Sequence, residues 1–473
     1  MTLFSPIFRP IIIDLDGPDD RQLRRIPAAI KSMPKLAKEL TLYGLIMVAI
    51  GSCIGSGIFV TPSQIAGLIP LPLLILAVWA IGGVITLTGA LTFGELGSIF
   101  PQAGGIYVFL KEAYGGWLGF LYGWAYLLII TSGSIAVLSL AFSYYLSFFI
   151  PMNDSWKILT SIIAISILTT LNVLRAKFGE MFSNIFTGLK ILGILIIICV
   201  GIIYGKSDIS FKVLSLSSSG NSSLSGFGVA LVGVLFSYGG WQHASFLAGE
   251  TKNPSRNVPI AMITGAIVVT IIYLLVNISY MLLLPVSAII TSEKVAAEAV
   301  STILPFGGRL VAAIIAVSTL GTIGIYTLSA PRIYYAMAED GLFFKNIAKV
   351  HPVFKTPVNA IIVQSIWAIV LLLFWRTFEN LITYTVSVEW IFFTLAAAGI
   401  FIFRKKLKHI ERPYKTFGYP VTPIIFICIC TWFVLNITIS KPLHMGIGIG
   451  FLLLGLPVYF FFRKKNSLKS NSG

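Results

Sequence analysis

About twelve stretches of this chain stay apolar for roughly 20 residues or more, enough for each to cross a hydrocarbon layer about 30 Å thick as a helix. They run over 42–69, 71–97, 116–150, 156–174, 182–204 and 225–249, then 258–284, 306–338, 357–375, 380–403, 420–438 and 444–462. Inside a bilayer every backbone N–H and C=O must find a partner within the protein, so apolar runs of this length are helices. With 56% hydrophobic residues, 11% charged residues and a mean hydropathy of +0.91, the balance is far from that of a soluble globular chain. The expected fold class is an all-α integral membrane protein.

The net charge of +16 raises nucleic acid as a partner, but the placement of the basic residues assigns it to membrane topology instead. With 1–40 placed inside, 26 of the 34 Lys and Arg fall in inner segments and seven in outer loops, and Lys190 falls within a span. The excess of inner positive charge puts both termini in the cytosol, and an even number of spans agrees. Residues 1–40 are charged and proline-punctuated, so no cleavable signal peptide is expected. The four cysteines, Cys53, Cys199, Cys428 and Cys430, all lie in apolar segments. They offer neither an outer-loop disulfide framework nor metal-ligand spacing.

Two of the spans are interrupted by glycine: GSCIGSGIF (51–59) in the first and SYGGWQHASF (237–246) in the sixth. A broken helix at mid-bilayer depth survives only where it lines a polar cavity. Five spans separate one break from the next, and an odd number per repeat turns the second copy upside down, which is the pattern of an inverted repeat with its site at the midplane. The expected organisation is a cytosolic tail (1–40), a first repeat (41–205), an outer loop (206–224) and a second repeat (225–403). A basic inner loop (404–419), two appended spans (420–463) and a cytosolic tail (464–473) complete it.

Unwinding a helix frees N–H groups at the start of one half and C=O groups at the end of the other. The first attract a carboxylate and the second an ammonium. An α-amino acid carries both. Glycines 51, 55 and 57 let the backbone leave helical geometry, and Ser56 adds a hydroxyl. Lys190 is a charge within a span, which is a functional residue by default. Nine residues beyond Met181 at 1.5 Å each place it about 14 Å deep, too far for easy snorkelling.

These residues carry a family resemblance. The chain resembles amino acid permeases of the amino acid, polyamine and organocation superfamily, in particular bacterial L-amino acid transporter-like members. GSCIGSGIF resembles the first-span motif, FGELGSIFPQAGGIYVFLKEAYG (93–115) the second span and its loop, and SYGGWQHASFLAGETKNPSRNVPIAM (237–262) the sixth span and its exit. APRIYYAMAEDGLFF (330–344) and RPYKTFGYPVTP (412–423) resemble the end of span 8 and the entry to span 11. The resemblance implies a LeuT-like five-plus-five inverted repeat with helices 1 and 6 discontinuous. It implies that the substrate carboxylate meets N–H groups around Gly55, Ser56 and Gly57, next to Ile54, and that the ammonium meets carbonyls of Cys53, Phe236 and Gly239. Phe236 and Tyr326 would be aromatics covering and lining the cavity, with Trp241 in a wall or gate. Lys190 would stand in for a bound sodium ion by tying span 5 to spans 1 and 8, implying sodium-independent transport; release of its proton during the cycle is the other use open to it. A partner glycoprotein joined through a cysteine after span 3 is not expected, because 151–156 has none; a monomer or homodimer in the bacterial inner membrane is.

Gln242 and His243 follow the second break, where they serve either as interhelical hydrogen bonds or as contacts for substrate or proton. Glu95, Glu250 and Arg332 lie near inner ends of spans 2, 6 and 8 and are candidates for a cytosolic latch. The pocket walls are expected to include Ser237, Tyr238, Tyr126, Thr131 and Ser132. Glu389 is expected to lie outside the core of spans 1 and 6. With no other acidic residue beside either break, small or medium neutral side chains are favoured over arginine, lysine or a polyamine. No nucleophile and base set, HExxH or Walker stretch suggests an enzyme or an ATP-driven pump, no repeated pore segment suggests a channel, and no cofactor is expected. Exchange and proton symport both remain open.

Overall fold

The computed structural model describes residues 36–206, 224–374, 378–440 and 442–470. Most of the expected tail 1–40 and outer loop 206–224, and the end of the tail 464–473, lie outside the described residues. Within them the regular structure is helical, apart from one isolated parallel bridge between Leu40 and Thr251.

The first span is two helices, α1 (Leu42–Cys53) and α2 (Gly57–Leu68). Thr41 caps α1 by accepting from the Gly44 N–H at 3.1 Å, satisfying one of the donors a helix start leaves free. α3 (Pro72–Ile99) begins with proline at its first position, where the missing N–H costs nothing. A short helix, α4 (Ile106–Tyr114), buries Ile106, Tyr107, Phe109 and Leu110. The third span is α5 (Gly116–Ala125), a π turn at Tyr126–Ile130 and α6 (Thr131–Leu146). α7 (Asp154–Leu174), capped by Asn153, and α8 (Ala176–Tyr204) complete the first half.

The sixth span is again broken: α9 (Leu224–Tyr238), a turn, then α10 (His243–Phe246). It is followed by α11 (Pro254–Leu283), two short helices, α12 (Val286–Thr291) and α13 (Val295–Ser301), and α14 (Gly307–Ser329) with α15 (Pro331–Glu339). Next come α16 (Val358–Phe374), α17 (Phe378–Lys406), α18 (Val421–Ser440) and α19 (Pro442–Ser470). Nine helical segments among the described residues are long and apolar enough to cross a membrane, and Gly226–Tyr238 and Val358–Phe374 are shorter apolar helices. With α17, these account for the twelve expected spans.

Helix α1 packs on α11 while α9 packs on α3, the reciprocal pairing an inverted repeat produces. α14 packs between α6 and α8, and α18 and α19 lie against α17, α3 and α5. The outer surface is apolar in helical rows, Ile163 and Ile167 on α7 and Ile185, Leu189, Leu192 and Ile196 on α8. Exposed apolar stripes of this extent suit a lipid surround.

Candidate functional site

The break between α1 and α2 leaves carbonyls of one half-helix and N–H groups of the other without helical partners. The chain supplies its own donors to the carbonyls. Lys190 Nζ, fully buried on α8, donates to the carbonyls of Gly51 at 2.7 Å and Ile54 at 2.9 Å and to Thr322 Oγ1 at 2.6 Å. An ammonium has three protons, so its donor capacity is filled. Ser318 Oγ lies 2.9 Å from the Ile54 carbonyl and 3.1 Å from that of Gly55. Ser318, Thr322 and Tyr326 follow one another at four-residue spacing on α14, so they form one row facing the break. On the donor side, the Gly55 N–H turns back on the Cys53 carbonyl at 2.9 Å. The hydroxyl of Ser56 is buried without a hydrogen-bond partner.

The second break is clasped to the first. Gly240 has φ of 130°, a region L side chains avoid. A Cβ there would also sit 2.7 Å from the Cys53 nitrogen. The Ser52 hydroxyl lies 2.8 Å from the Gly240 carbonyl. The Tyr273 hydroxyl on α11 bridges the breaks, 2.8 Å from the Cys53 carbonyl and 2.9 Å from that of Ser237. At Gly57 the approach is equally tight, since a Cβ would stand 2.9 Å from Ser237 Cα.

Between the breaks lies a cavity of about 40 Å³ lined by Ser52, Cys53, Gly55, Ser56, Gly57, Phe236, Ser237, Gly239, Thr322 and Tyr326, with Gly133, Ser134, Val137 and Leu138 of α6 opposite. That exceeds the ~15 Å³ a single water needs. Ile54 faces away from this cavity and gives its carbonyl to Lys190, Ser318 and Thr322.

A second cavity of about 30 Å³ lies beside the first and shares Ser134, Phe236, Gly239 and Tyr326 with it. Its far end is formed by Tyr126, Thr131, Gln242, His243, Glu389 and Trp390. The π turn contributes here, because widening the helix by one residue re-aims the side chains around it, and such turns recur at functional sites. Tyr126 Oη lies 3.2 Å from His243 Nε2, and His243 Nδ1 lies 2.6 Å from Ser329 Oγ. The Ser329 hydroxyl also donates to the Ile325 carbonyl at 2.7 Å. The imidazole stacks on Tyr326 with centroids 4.3 Å apart. Gln242 accepts from the Gly240 N–H at 3.0 Å and donates to Glu389 Oε1 at 3.1 Å.

Three wall expectations and one exclusion change. Trp241 lies outside both cavities, packed on Phe93 and Phe393 with centroids 5.3 and 6.0 Å away. Tyr238 is also outside them; its ring meets Trp79 and Tyr273 and its hydroxyl donates to the Trp79 carbonyl at 3.0 Å. Ser132 is buried off both linings, while Thr131 lines the second. Glu389 stands beside the second break, contrary to the expectation that it lies outside the core of spans 1 and 6. Sequence position hid this, because span 10 meets span 6 only through the fold. The signal was present as a charge within a span. Ser318 and Thr322 are site residues the sequence analysis does not name, although their four-residue spacing with Tyr326 on α14 is a legible signal.

Comparison with known proteins decides the family. The model of the amino acid permease family matches residues 40–462. The chain belongs to the amino acid permease family. It is 33% identical to a serine/threonine exchanger of Bacillus subtilis over 91% of this chain and 98% of the relative. It is 31% identical to a human b(0,+)-type amino acid transporter over 90% and 88%, and 29% identical to the human cystine/glutamate transporter over 90% and 86%.

The three residues set together as a latch divide into two clusters in this permease. Arg332 and Glu250 form a buried bidentate pair, with Nη2 2.8 and 2.9 Å from the two carboxylate oxygens and Nε at 3.1 Å. Arg332 also donates to the Leu328 carbonyl. Beside it, the Leu40 N–H donates to the Glu250 carbonyl and the Lys252 N–H to the Leu40 carbonyl, each at 2.9 Å, so the strand before α1 is strapped to the segment after α10. Glu95 belongs elsewhere. It accepts from Arg404 at 2.6 and 2.9 Å and from the Thr416 N–H at 2.7 Å, with Arg412 Nε 3.3 Å away. The four cysteines are free, and among the described residues no His, Cys, Asp and Glu cluster is placed to hold a metal ion.

Proposed function

We propose that this permease moves amino acids across the bacterial cytoplasmic membrane by alternating access, with both termini cytosolic. The observation that carries the reading is the clasped pair of broken helices around a small cavity. N–H groups at the start of α2, around Ser56 and Gly57, meet the substrate carboxylate, and carbonyls at the end of α9, Gly239 first among them, meet its ammonium. The walls of the first cavity, Gly133, Ser134, Val137 and Leu138, suit small and medium neutral side chains. The similarity to a serine/threonine exchanger over almost its full length supports that range and an exchange mode.

Transport is proposed to be sodium-independent, because the carbonyls of Gly51 and Ile54 and the Thr322 hydroxyl, oxygen ligands of the kind a hard cation takes, are occupied by the Lys190 ammonium. The Glu250–Arg332 pair and the Leu40 strap are proposed to close the cytosolic end, and to part when the site faces inward. The proposed repeats span 41–205 and 225–403.

The test is uptake of radiolabelled amino acids into proteoliposomes, with internal amino acid, sodium and a pH gradient varied independently. Neutral substrates taken up without sodium, and faster with internal substrate, are the expected result. A strict sodium requirement contradicts the role given to Lys190, and dependence on the proton gradient alone replaces exchange with symport.

A further inference from the structure

We infer that Glu180 is a positioning residue for transport: it holds the inner half of the first span, α1, against α8, so that Glu180 and Lys190 together grip this half-helix at both ends. This rests on the alternating-access reading above. The contacts between the two helices advance in step, so α1 and α8 run in the same direction. Thr41 at the start of α1 meets Glu180, the Met47 carbonyl accepts from Thr187 Oγ1 at 3.1 Å, and the carbonyls of Gly51 and Ile54 accept from Lys190. Ten residues separate Glu180 from Lys190, about 15 Å of helix, and α1 has 12 residues, about 18 Å. The two charged side chains therefore match the length of the half-helix.

Their chemistry matches its polarity. The Thr41 hydroxyl accepts from the Gly44 N–H and donates to Glu180 Oε1, each at 3.1 Å, and the Thr41 N–H lies 3.4 Å from the same oxygen. Glu180 is buried, and among the described residues no Lys, Arg or His is ion-paired with it. The positive charge it faces is the partial charge at the start of α1, and the Lys190 ammonium sits at the opposite end, where the helix is negative. Glycine makes the fit possible. Gly44 and Gly51 stand about two turns apart on one face of α1, where a Cβ at Gly44 would collide with the Glu180 carboxylate and one at Gly51 with Thr187 Oγ1. The Leu40 strap and the Glu250–Arg332 pair engage the segment after α10 instead, which leaves the α8 side of α1 to Glu180. Release starts at the Glu180 end, because one oxygen holds it, whereas Lys190 makes three charge-assisted bonds and serves as the pivot.

A cysteine reporter at Ser183 tests this. Ser183 is fully buried on α8 and lies between Glu180 and Thr187 in the row that meets α1. S183C is labelled with a membrane-impermeant maleimide in inside-out vesicles, with the parent protein and its four cysteines as background. Adding E180A or T41V is expected to raise the labelling rate at least about fivefold, and the two together no further than either, since they remove one contact. E180Q, which still accepts from Thr41 but lacks the charge, should fall between, and it keeps the test open if E180A folds poorly. In proteoliposomes, E180A is expected to raise KM for external serine at least about threefold with a smaller change in kcat, as a shift toward the inward-facing state requires. Unchanged labelling and KM in E180A, or additive effects of E180A and T41V, overturn the role of Glu180. Failure of the unmodified permease to move any amino acid overturns the transport reading itself, and the labelling reports on the contact independently of it.

Discussion

The two helix breaks are built alike and held differently. At the first, the freed carbonyls are tied down by a cation of the chain itself, with Lys190 filling Gly51, Ile54 and Thr322 in one contact and Ser318 adding another. At the second, no side-chain cation among the described residues takes part. The freed Gly240 N–H is held by a neutral amide, and the chain of hydrogen bonds ends on the Glu389 carboxylate. Charge-assisted bonds are roughly twice as strong as neutral ones. The first break is therefore held by stronger hydrogen bonds than the second.

Replacing the ammonium should have the largest effect. In Lys190→Met, the carbonyls of Gly51 and Ile54 and the Thr322 hydroxyl each lose their charged donor, at ~1–3 kcal/mol each, so uptake should drop at least about a hundredfold and the melting temperature should fall. If the variant transports normally, the first break is not held by Lys190. Next comes Gly240→Ala, which puts a methyl group on the backbone of helix α1 at a φ that alanine avoids. Both uptake and the yield of monodisperse protein should fall sharply, whereas tolerance would show that the clasp between the breaks can open without cost.

The Glu250–Arg332 pair beside Leu40 lies between these extremes. Glu250→Gln leaves Arg332 buried with half its partners, and about a tenfold loss of uptake is expected, with greater accessibility of a cysteine probe placed at that end. The double variant Glu250→Gln, Arg332→Gln should recover part of the loss, since removing both charges removes the unpaired one. A fully additive double variant would mean that the pair does not act as a unit. Ser329→Ala removes one hydrogen bond from His243, and about 1 kcal/mol, or a fivefold rise in KM, is expected. The smallest effect is assigned to Asp154→Ala, which breaks an exposed i,i+3 contact with Lys157 at 3.2 Å; uptake should stay within about twofold.

Much of this was legible in order along the chain. Apolar length gave the spans, and glycine with serine inside them marked both breaks. The isolated charge of Lys190 marked its own importance, because nothing along span 5 explains it. The caps at Thr41 and Asn153 and the prolines at 72 and 254 are ordinary start signals. What failed were statements about neighbours. Trp241 stands two residues from Gly239, which lines the cavity, yet it points into an aromatic cluster with Phe93 and Phe393, because successive residues on a turn face different sides. Glu95 resembled a partner for Arg332, but its oxygens are taken by Arg404 and Thr416, more than 300 residues away.

The sequence by itself determined the solvent this chain folds in, the number of its spans and the two places where helix gives way, since these depend on local composition and on the backbone's need for partners. Only the tertiary structure decided which oxygen each buried proton meets. Lys190 reaching span 1, Tyr273 bridging both breaks and Glu389 standing at the end of the second cavity are contacts between helices whose facing sides are set by packing, and no spacing along the chain encodes them.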